Sequence, residues 1–406
     1  MADKPKVVLA FSGGLDTSFC VPYLIEKGYE VHTLYVNTGG ADENEAKAIE
    51  ARANELGAAG HTAVDAGPAL WETFVVPFVM GGARYQDRYP LLCSDRYVIT
   101  MEMARLAHEI GADAVAHGCT AMGNDQFRFD QSLRSLSGLP ILAPIRDIQG
   151  VTDKPRQYEM DDLARRGFDV AAEAKRYTIN ENVLGVTISG SEIDELRAPD
   201  VASHKLTRPR AEWPEDSLRV SIAFDQGVPV GVNGSAASGV GILNELNDAF
   251  GAYGVGRGIY TGDTIVGLKG RIVFECPGID VLLTAHKALE ELTLSKRQNA
   301  FKPLVATEWT DLVFGGLFFE PLRDDLEALL RSTQRGVTGT VTVETTGGSC
   351  LAVAVDTSNA LMDDGAVYAQ KASWSAKDAE GFIRIAGNAS ALAAKKRWAA
   401  VSGDRA

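Results

Sequence analysis

The sequence predicts an α/β protein: a doubly wound, mostly parallel sheet domain over residues 1–165, a mixed α+β region over 166–365, and a C-terminal helical arm over 366–406. Three observations predict it. Through the first 165 residues, apolar runs of strand length alternate with segments of helical period, the pattern that places helices on both faces of a parallel sheet. The first run, Val7-Val8-Leu9-Ala10, passes straight into Phe11-Ser12-Gly13-Gly14-Leu15-Asp16-Thr17-Ser18, a glycine turn of the kind that joins a buried strand to a helix. Beyond residue 166 the alternation is lost, and an Ala-rich helical segment closes the chain.

Taken in order, Phe19 to Lys27 is expected to form a short helix, with Pro22 early in it and Gly28 as its stop. Val31 to Val36 is a second strand. Asp42 with Glu45 resembles a capping box, followed by a helix with Ala46, Ile49, Ala53 and Leu56 on its apolar face and Gly57 at its end. His61 to Val64 is a weak third strand, Asp95 is placed to cap a helix through Leu106 and Ile110, and Ala114 to Ala116 is the next strand. Ligands of such sheets sit at the carboxyl ends of strands, where the Ser12 loop and the loop after Ala116 both fall. Later come strands at Ser217 to Phe224 and Thr340 to Thr345, helices at Leu282 to Leu292 and Asp324 to Ser332, and an exposed excursion from Arg208 to Pro214. Ala391 to Trp398 reads as a helix with Lys395, Lys396 and Arg397 late in it, favourable to the macrodipole.

With 406 residues, 45% hydrophobic and 23% charged, the chain is long enough for two or three domains with real cores. It contains no apolar run of membrane length, and Met1 to Lys6 leads so directly into the first strand that no signal peptide fits, so a cytoplasmic location is expected. Five scattered cysteines, Cys20, Cys93, Cys119, Cys276 and Cys350, suggest reduced buried thiols rather than a disulfide framework or a zinc site. A net charge of −14 argues against nucleic acid as a partner, because phosphate backbones are held by an excess of Lys and Arg.

The chemistry starts in the first loop. Free N–H groups at a helix start, with the hydroxyls of Ser12, Thr17 and Ser18, make a cradle for phosphate. A Walker loop would add a lysine, whereas this one has an acid, Asp16. An anion among phosphates calls for a bridging cation, so Asp16 implies Mg2+. An ordinary N-cap would need only one of these residues.

The second loop is His117-Gly118-Cys119-Thr120-Ala121-Met122-Gly123-Asn124-Asp125-Gln126-Phe127-Arg128-Phe129-Asp130. Its glycines permit close approach, Thr120 and Asn124 donate and accept, Asp125 suits an ammonium and Arg128 can fork onto a carboxylate. That mixture suits a zwitterionic amino acid beside a nucleotide.

SGGLDTS alone resembles the pyrophosphate loop of the N-type ATP pyrophosphatase superfamily. Together with HG-x-T-x-x-GNDQ-x-RF about a hundred residues on, it resembles the argininosuccinate synthase family. Tyr177-Thr178-Ile179-Asn180-Glu181-Asn182, Gly254-Val255-Gly256-Arg257, Glu275-Cys276-Pro277-Gly278, Val337-Thr338-Gly339-Thr340 and Lys377-Asp378-Ala379-Glu380-Gly381-Phe382-Ile383 extend the likeness over nearly the whole chain.

The resemblance implies an ATP pyrophosphatase-type domain, a synthetase domain binding amino acids, and an arm that contributes to a homotetramer. The family joins citrulline to aspartate: the ureido oxygen attacks the α-phosphorus of ATP, and the aspartate amine then displaces AMP from the citrullyl-adenylate. By the same resemblance, Ala10, Phe11, Ser12, Gly13, Gly14, Leu15, Asp16, Thr17, Ser18, Val36 and Gly118 contact ATP, with Asp16 toward Mg2+ and pyrophosphate. Thr120, Asn124 and Asp125 match the aspartate site, Asp16 and Asp125 being the two residues assigned to the chemistry itself. Tyr89, Ser94, Asn124, Arg128, Thr178 and Thr187 match the citrulline site, the two threonines standing where serine is usual. In three places the chain departs. Met122 replaces a usual lysine, and at the citrulline site Gly262 and Phe274 replace a glutamate and a tyrosine. Tyr260, Asp263 and Glu275 are the neighbours able to compensate, and Asp263 is expected to supply the carboxylate.

Overall fold

β1 (Lys6–Ala10) sits mid-sheet, and its alternation divides the interior: Val7 and Leu9 join one apolar cluster with Phe19, Val21 and Leu24, whereas Val8 joins another with Leu34, Trp71 and Phe74. The computed structural model describes residues 4–40, 42–169, 176–363 and 365–402. They fall into two compact units, Met1–Asn359 and Ala360–Ala406.

After β1 come α1 (Leu15–Glu26), β2 (Glu30–Asn37), α2 (Glu43–Glu55) and β3 (Gly60–Asp65). A helical run follows, α3 (Gly67–Leu70), a π turn at Trp71–Val75 and α4 (Val76–Gly81), and then α5 (Asp95–Ile110) and β4 (Ala114–Ala116). α6 (Asn124–Leu136), β5 (Ile141–Leu142), α7 (Pro144–Gln149) and α8 (Pro155–Arg165) complete the first layer system. The five strands are parallel in the order β3-β2-β1-β4-β5. Connections diverge on either side of β1 and β4, so the loops leaving these two strands flank the crevice where such sheets bind ligands.

Several expected boundaries move for identifiable reasons. α1 starts at Leu15 rather than Phe19, because Gly14 is extended and its carbonyl already accepts from Ser18 N at 2.9 Å. Pro22 therefore lies inside α1, where it removes the N–H that would serve the Ser18 carbonyl. Asp42 does cap α2, accepting from Asn44 N at 2.8 Å and Glu45 N at 2.9 Å, but among the described residues Glu45 does not return the bond. Asp95 is the first helical residue of α5 and not its cap, since its carboxylate is turned to Arg96.

The rest of the larger unit holds two antiparallel sheets. One has the order β11-β12-β7-β6, built from β6 (Thr178–Asn182), β7 (Gly185–Ser189), β11 (Arg257–Asp263) and β12 (Lys269–Glu275). The other, β10-β9-β8-β13-β14, contains β8 (Leu218–Asp225), β9 (Val228–Val232), β10 (Ser235–Ala236), β13 (Gly339–Thr345) and β14 (Leu351–Asp356). α9 (Gly239–Gly251), α10 (Pro277–Thr293), α11 (Lys296–Phe314) and α12 (Pro321–Thr333) pack among them. α10 and α12 begin earlier than expected because a proline with preset φ opens each. The Arg208–Pro214 excursion is pinned by Trp213, whose ring lies 2.6 Å and 2.3 Å from where a Cβ on Gly254 or Gly347 would stand. One apolar cluster runs from α4 and α5 through α10 and α11 to β8 and β13, with the rings of Phe78 and Trp309 stacked at 6.3 Å.

The smaller unit contains α13 (Ala376–Ala386), opened by a Ser375/Asp378 capping box, and α14 (Asn388–Ser402). α14 continues past Lys395–Arg397 to Ser402, where the described residues end.

Candidate active site

The loop after β1 is fixed by its own hydroxyls and glycines. Ser12 Oγ and Thr17 Oγ1 lie 3.3 Å apart, Thr17 Oγ1 donates to the Gly14 carbonyl at 3.3 Å, and Ser18 Oγ donates to the Gly13 carbonyl at 3.3 Å. Gly13 adopts φ +73, a conformation only glycine takes without strain, and a Cβ there would stand 3.3 Å from Ile49 Cγ1. No side chain caps α1, so the N–H groups of its first turn, Leu15 to Thr17, remain for an incoming anion. Asp16 stands in that turn and forms no salt bridge among the described residues. Ala10 ends β1, Phe11 N donates to the Leu34 carbonyl at 2.8 Å, and Val36 lies on neighbouring β2.

The loop after β4 meets the first one at Gly118, where a Cβ would stand 3.1 Å from Thr17 Cγ2. His117 braces this loop. Its Nδ1 accepts from Cys119 N at 3.2 Å and its Nε2 is 2.8 Å from Asp130 Oδ1, the assignment that makes Nε2 the protonated nitrogen. Arg146 forks onto Asp130 at 2.8 and 3.1 Å. Burial alone would raise the Asp130 pKa, but hydrogen bonds and charge from His117 and Arg146 overcome it and bring it down to about 2.

The stretch read as one long loop is a loop only to Gly123, because α6 starts at Asn124. Thr120 Oγ1 accepts from Met122 N at 3.4 Å, and Met122 points outward, 73% exposed. Asn124, Asp125 and Arg128 are thus fixed on the first two turns of a helix. Asn124 Oδ1 accepts from Ile265 N at 2.9 Å, tying α6 to the turn after β11. Asp125 takes Arg96 Nε at 3.0 Å and Arg128 Nη1 at 2.9 Å, and these two guanidiniums outweigh burial and lower its pKa to about 2. Arg128 is itself buried, donating to the Phe314 carbonyl at 2.9 and 3.3 Å. In this state Asp125 and Arg128 satisfy each other.

A third wall comes from the β11-β12-β7-β6 sheet. Register pairs Thr178 with Ser189, Thr187 with Asn180 and Phe274, Phe274 with Gly258, and Gly262 with Gly270. With side chains alternating, Thr178, Thr187, Phe274, Tyr260 and Gly262 all share one face. Val186, Ile188, Ile179, Ile259 and Val273 take the other, in a separate apolar cluster. Tyr89 packs on the first face, its ring 6.1 Å from Phe274 and 5.7 Å from Tyr260. Ser94 is fully buried at the start of α5 with its Oγ unpartnered. Asn182 Nδ2 donates to the Leu92 carbonyl at 2.8 Å and so joins this sheet to the segment carrying Tyr89 and Ser94.

Around position 262 the structure selects among the neighbours. Glu275 is sealed in, accepting from the backbone of Lys205, Leu206 and Thr207. Asp263, one residue off, has its carboxylate on Lys269 at 2.5 Å and on Gln86 Nε2 at 2.9 Å, and the Oε1 of that same amide faces position 262. Tyr260 also points there: a Cβ on Gly262 would stand 2.5 Å from its hydroxyl and 2.8 Å from Gln86 Oε1. The Tyr260 hydroxyl is shared between Gln86 Oε1 and the Asp263 carbonyl, each at 2.9 Å. A cavity of about 380 Å³ opens beside this wall, lined in part by Tyr85, Gln86, Ile265 and Phe314. Arg96 and Gln86 were not singled out from the sequence: Arg96 was legible only as a cation inside a predicted helix, and Gln86, at φ +50, carried no local signal.

Comparison with known proteins agrees with this arrangement. The sequence profile described as "Arginosuccinate synthase N-terminal HUP domain" matches residues 6–163, and that described as "Arginosuccinate synthase C-terminal domain" matches 177–393. Argininosuccinate synthase from Xanthomonas campestris pv. campestris is 54% identical over 389 residues, covering 96% of this chain and 98% of that protein. The Xylella fastidiosa enzyme is 53% identical over 97% of this chain and 98% of its own length, and the Methanocaldococcus jannaschii enzyme 38% identical over 94% and 95%. With both halves matched and the fold and loops in place, the chain belongs to the argininosuccinate synthase family.

Proposed function

We propose that the chain ligates citrulline to aspartate with ATP, through a citrullyl-adenylate, giving argininosuccinate, AMP and pyrophosphate in arginine biosynthesis. The observation that carries this reading is the meeting of three walls: the Ser12–Ser18 turn, the Gly118–Asp125 segment against it at Thr17, and the polar face of β6, β7, β11 and β12 under Tyr89.

A ureido carbon is a poor electrophile, and attaching AMP to its oxygen supplies the leaving group. The protein's task is then to align reactants and balance phosphate charge. The uncapped N-terminus of α1 and the hydroxyls of Ser12, Thr17 and Ser18 face the β- and γ-phosphates, while Gly118 and Val36 border the nucleoside. Thr120, Asn124 and Asp125 orient aspartate, and the Asp125 carboxylate, kept ionised by Arg96 and Arg128, attracts the ammonium; once that group has lost its extra proton to solvent, the amine forms the C–N bond and AMP leaves with the electron pair of the broken C–O bond. Tyr89, Ser94, Arg128, Thr178 and Thr187 align citrulline, with Gly262 and Phe274 shaping the wall and Tyr260 and Gln86 offering neutral hydrogen-bonding groups at its end.

The donors in the first loop fit Mg2+: a carboxylate without a salt-bridge partner beside hydroxyls is a hard oxygen set. Among the described residues no group of three or more His, Cys, Asp and Glu side chains is arranged to hold a metal, and Asp16 would hold the ion together with substrate phosphates. When bound, the ion neutralises charge on the departing pyrophosphate.

No helix among the described residues is long and apolar enough to cross a membrane, and a cytoplasmic location suits a biosynthetic ligase using free amino acids. Exposed Phe382, Ile383 and Ile385 on α13 support assembly of the arm into a homotetramer. The deciding experiment is mass spectrometry of the product from ATP, citrulline and aspartate. Argininosuccinate equimolar with AMP is expected; orthophosphate from γ-labelled ATP in a pyrophosphatase-free assay would overturn the reading.

A further inference from the structure

Lys302 is a buried ammonium for which the reaction has no direct use. It stands on α11, 4% exposed, and its Nζ finds three acceptors for its three protons: the Met80 carbonyl at 2.5 Å, the Gly81 carbonyl at 2.8 Å and Glu290 Oε2 of α10 at 2.9 Å. Glu290 Oε1 in turn accepts from Gln334 Nε2 at 2.8 Å, which leaves Gln334 Oε1 to accept from His286 Nε2, also at 2.8 Å. All four side chains are buried. Burial lowers the Lys302 pKa, and the Glu290 charge restores it only in part. A buried pair of this kind adds little net stability, since apolar side chains of similar volume fill a core as well or better. What it does supply is direction, because hydrogen bonds to an ammonium fix their acceptors in angle and distance as apolar packing does not.

Met80 and Gly81 are the last two residues of α4, and Gly82 leaves the helix at φ +75. The chain then runs to the substrate wall. Tyr85 and Tyr89 exchange backbone hydrogen bonds, each at 3.0 Å, so the stretch between them moves as one piece, and it carries Gln86 to Tyr260 and Tyr89 to Phe274. α10 and α11 hold it again at Arg84, paired with Asp280, at Ala83, whose carbonyl accepts from Thr310 Oγ1 at 3.4 Å, and at Tyr85, stacked on Phe314 at 3.6 Å. We propose that the Lys302–Glu290 pair positions the citrulline wall: by fixing the last carbonyls of α4 it sets where the Gly82–Tyr89 segment begins, and so where Tyr89 and Gln86 stand. The proposal rests on the reading that this wall holds citrulline. Lys302 and Glu290 are positioning residues that act through Tyr89. Among the described residues none of the four side chains bonds to the Ser12–Ser18 turn or to the Gly118–Asp125 segment, so the pair acts on one substrate of the three.

The test is steady-state kinetics of the full chain, wild type against the double variant Lys302→Met with Glu290→Gln, which removes both charges together while the new amide still accepts from Gln334. The citrulline KM is expected to rise at least about tenfold, with kcat and the KM values for ATP and aspartate within about twofold of the wild type. A purely structural pair predicts a lower melting temperature with all three KM values kept, or a fall in activity that does not distinguish the substrates, and either result overturns the proposal. Absence of citrulline-dependent turnover in the wild type overturns the reading of the wall and this proposal with it, whereas a citrulline-dependent wild type beside an unselective variant overturns the proposal alone. If the double variant fails to fold, Lys302→Gln, whose shorter amide can still donate to a carbonyl but carries no charge, replaces it: a rise confined to the citrulline KM supports the positioning role, and an unchanged KM or a common rise in all three rejects it.

Discussion

Arg96 Nε donates to Asp125 Oδ2 at 3.0 Å, joining the first turn of α5 to the first turn of α6 across 29 residues of chain. Its Nη1 serves the neighbouring Asp95 at 2.6 Å, so one guanidinium holds two acids by two different N–H groups. Lysine cannot reproduce that fork. Arg96→Met leaves Asp95, 3% exposed, without its cation, and loss of a buried pair's partner costs about 3 kcal/mol. Urea denaturation is expected to show that loss, and steady-state kinetics a raised KM for aspartate; unchanged values for both would remove Arg96 from the site.

The Asp130 carboxylate has a folded pKa near 2, below its ordinary value near 3.8. A lowered acid stabilises the folded state fully above the unfolded value, and this contribution disappears as pH falls through the folded one. The window therefore lies between about pH 4 and pH 2, with roughly 2 kcal/mol at stake. Asp130→Asn is expected to be less stable than the wild type at pH 7 and to lose less stability than it does on acidification across that window. Parallel acid-denaturation curves would contradict this.

Gly118→Val pushes a branched side chain against Thr17, where even a Cβ stands at 3.1 Å. ATP affinity, measured by calorimetry, is expected to drop at least about tenfold, equivalent to 1.4 kcal/mol, with citrulline binding little changed. Wild-type ATP binding would show that the two loops do not close on the same ligand.

Tyr260→Phe removes the hydroxyl shared by Gln86 and the Asp263 carbonyl. A lost neutral hydrogen bond in a substrate wall corresponds to roughly 1 kcal/mol, so the citrulline KM is expected to rise about fivefold while those for ATP and aspartate stay put. Asp263→Asn, already spoken for by Lys269, should change it less. A larger effect in Asp263→Asn than in Tyr260→Phe would reverse the assignment.

What was readable from the sequence was whatever one strand, one turn or one helix determines. The central strands and the Ser12 turn follow from apolar runs and glycine placement, and Ala114–Ala116 was located to the residue. Boundaries moved where a proline or an extended glycine set the start, as at Pro277 and Gly14. Contacts between segments were another matter. Gln86 meets Tyr260 across 174 residues, and Arg128 meets the Phe314 carbonyl across 186; no periodicity in either segment encodes such a pairing.

The apolar cluster that runs from α4 and α5 into α10, α11, β8 and β13 bears on how this protein was assembled in evolution. Gly39 and Gly40 carry the same message on a smaller scale: a Cβ on either would stand 2.7 Å from Val183 Cβ or 2.9 Å from the Glu181 carbonyl oxygen. The nucleotide-binding portion is therefore not a portable cassette. Cut out at its sequence boundary, it would bare Phe74, Phe78 and Val79, which are sealed in the intact chain, and would aggregate rather than bind ATP alone. Recombination that exchanged this portion between relatives would have to carry the matching helices with it, so the two halves are expected to have diverged together.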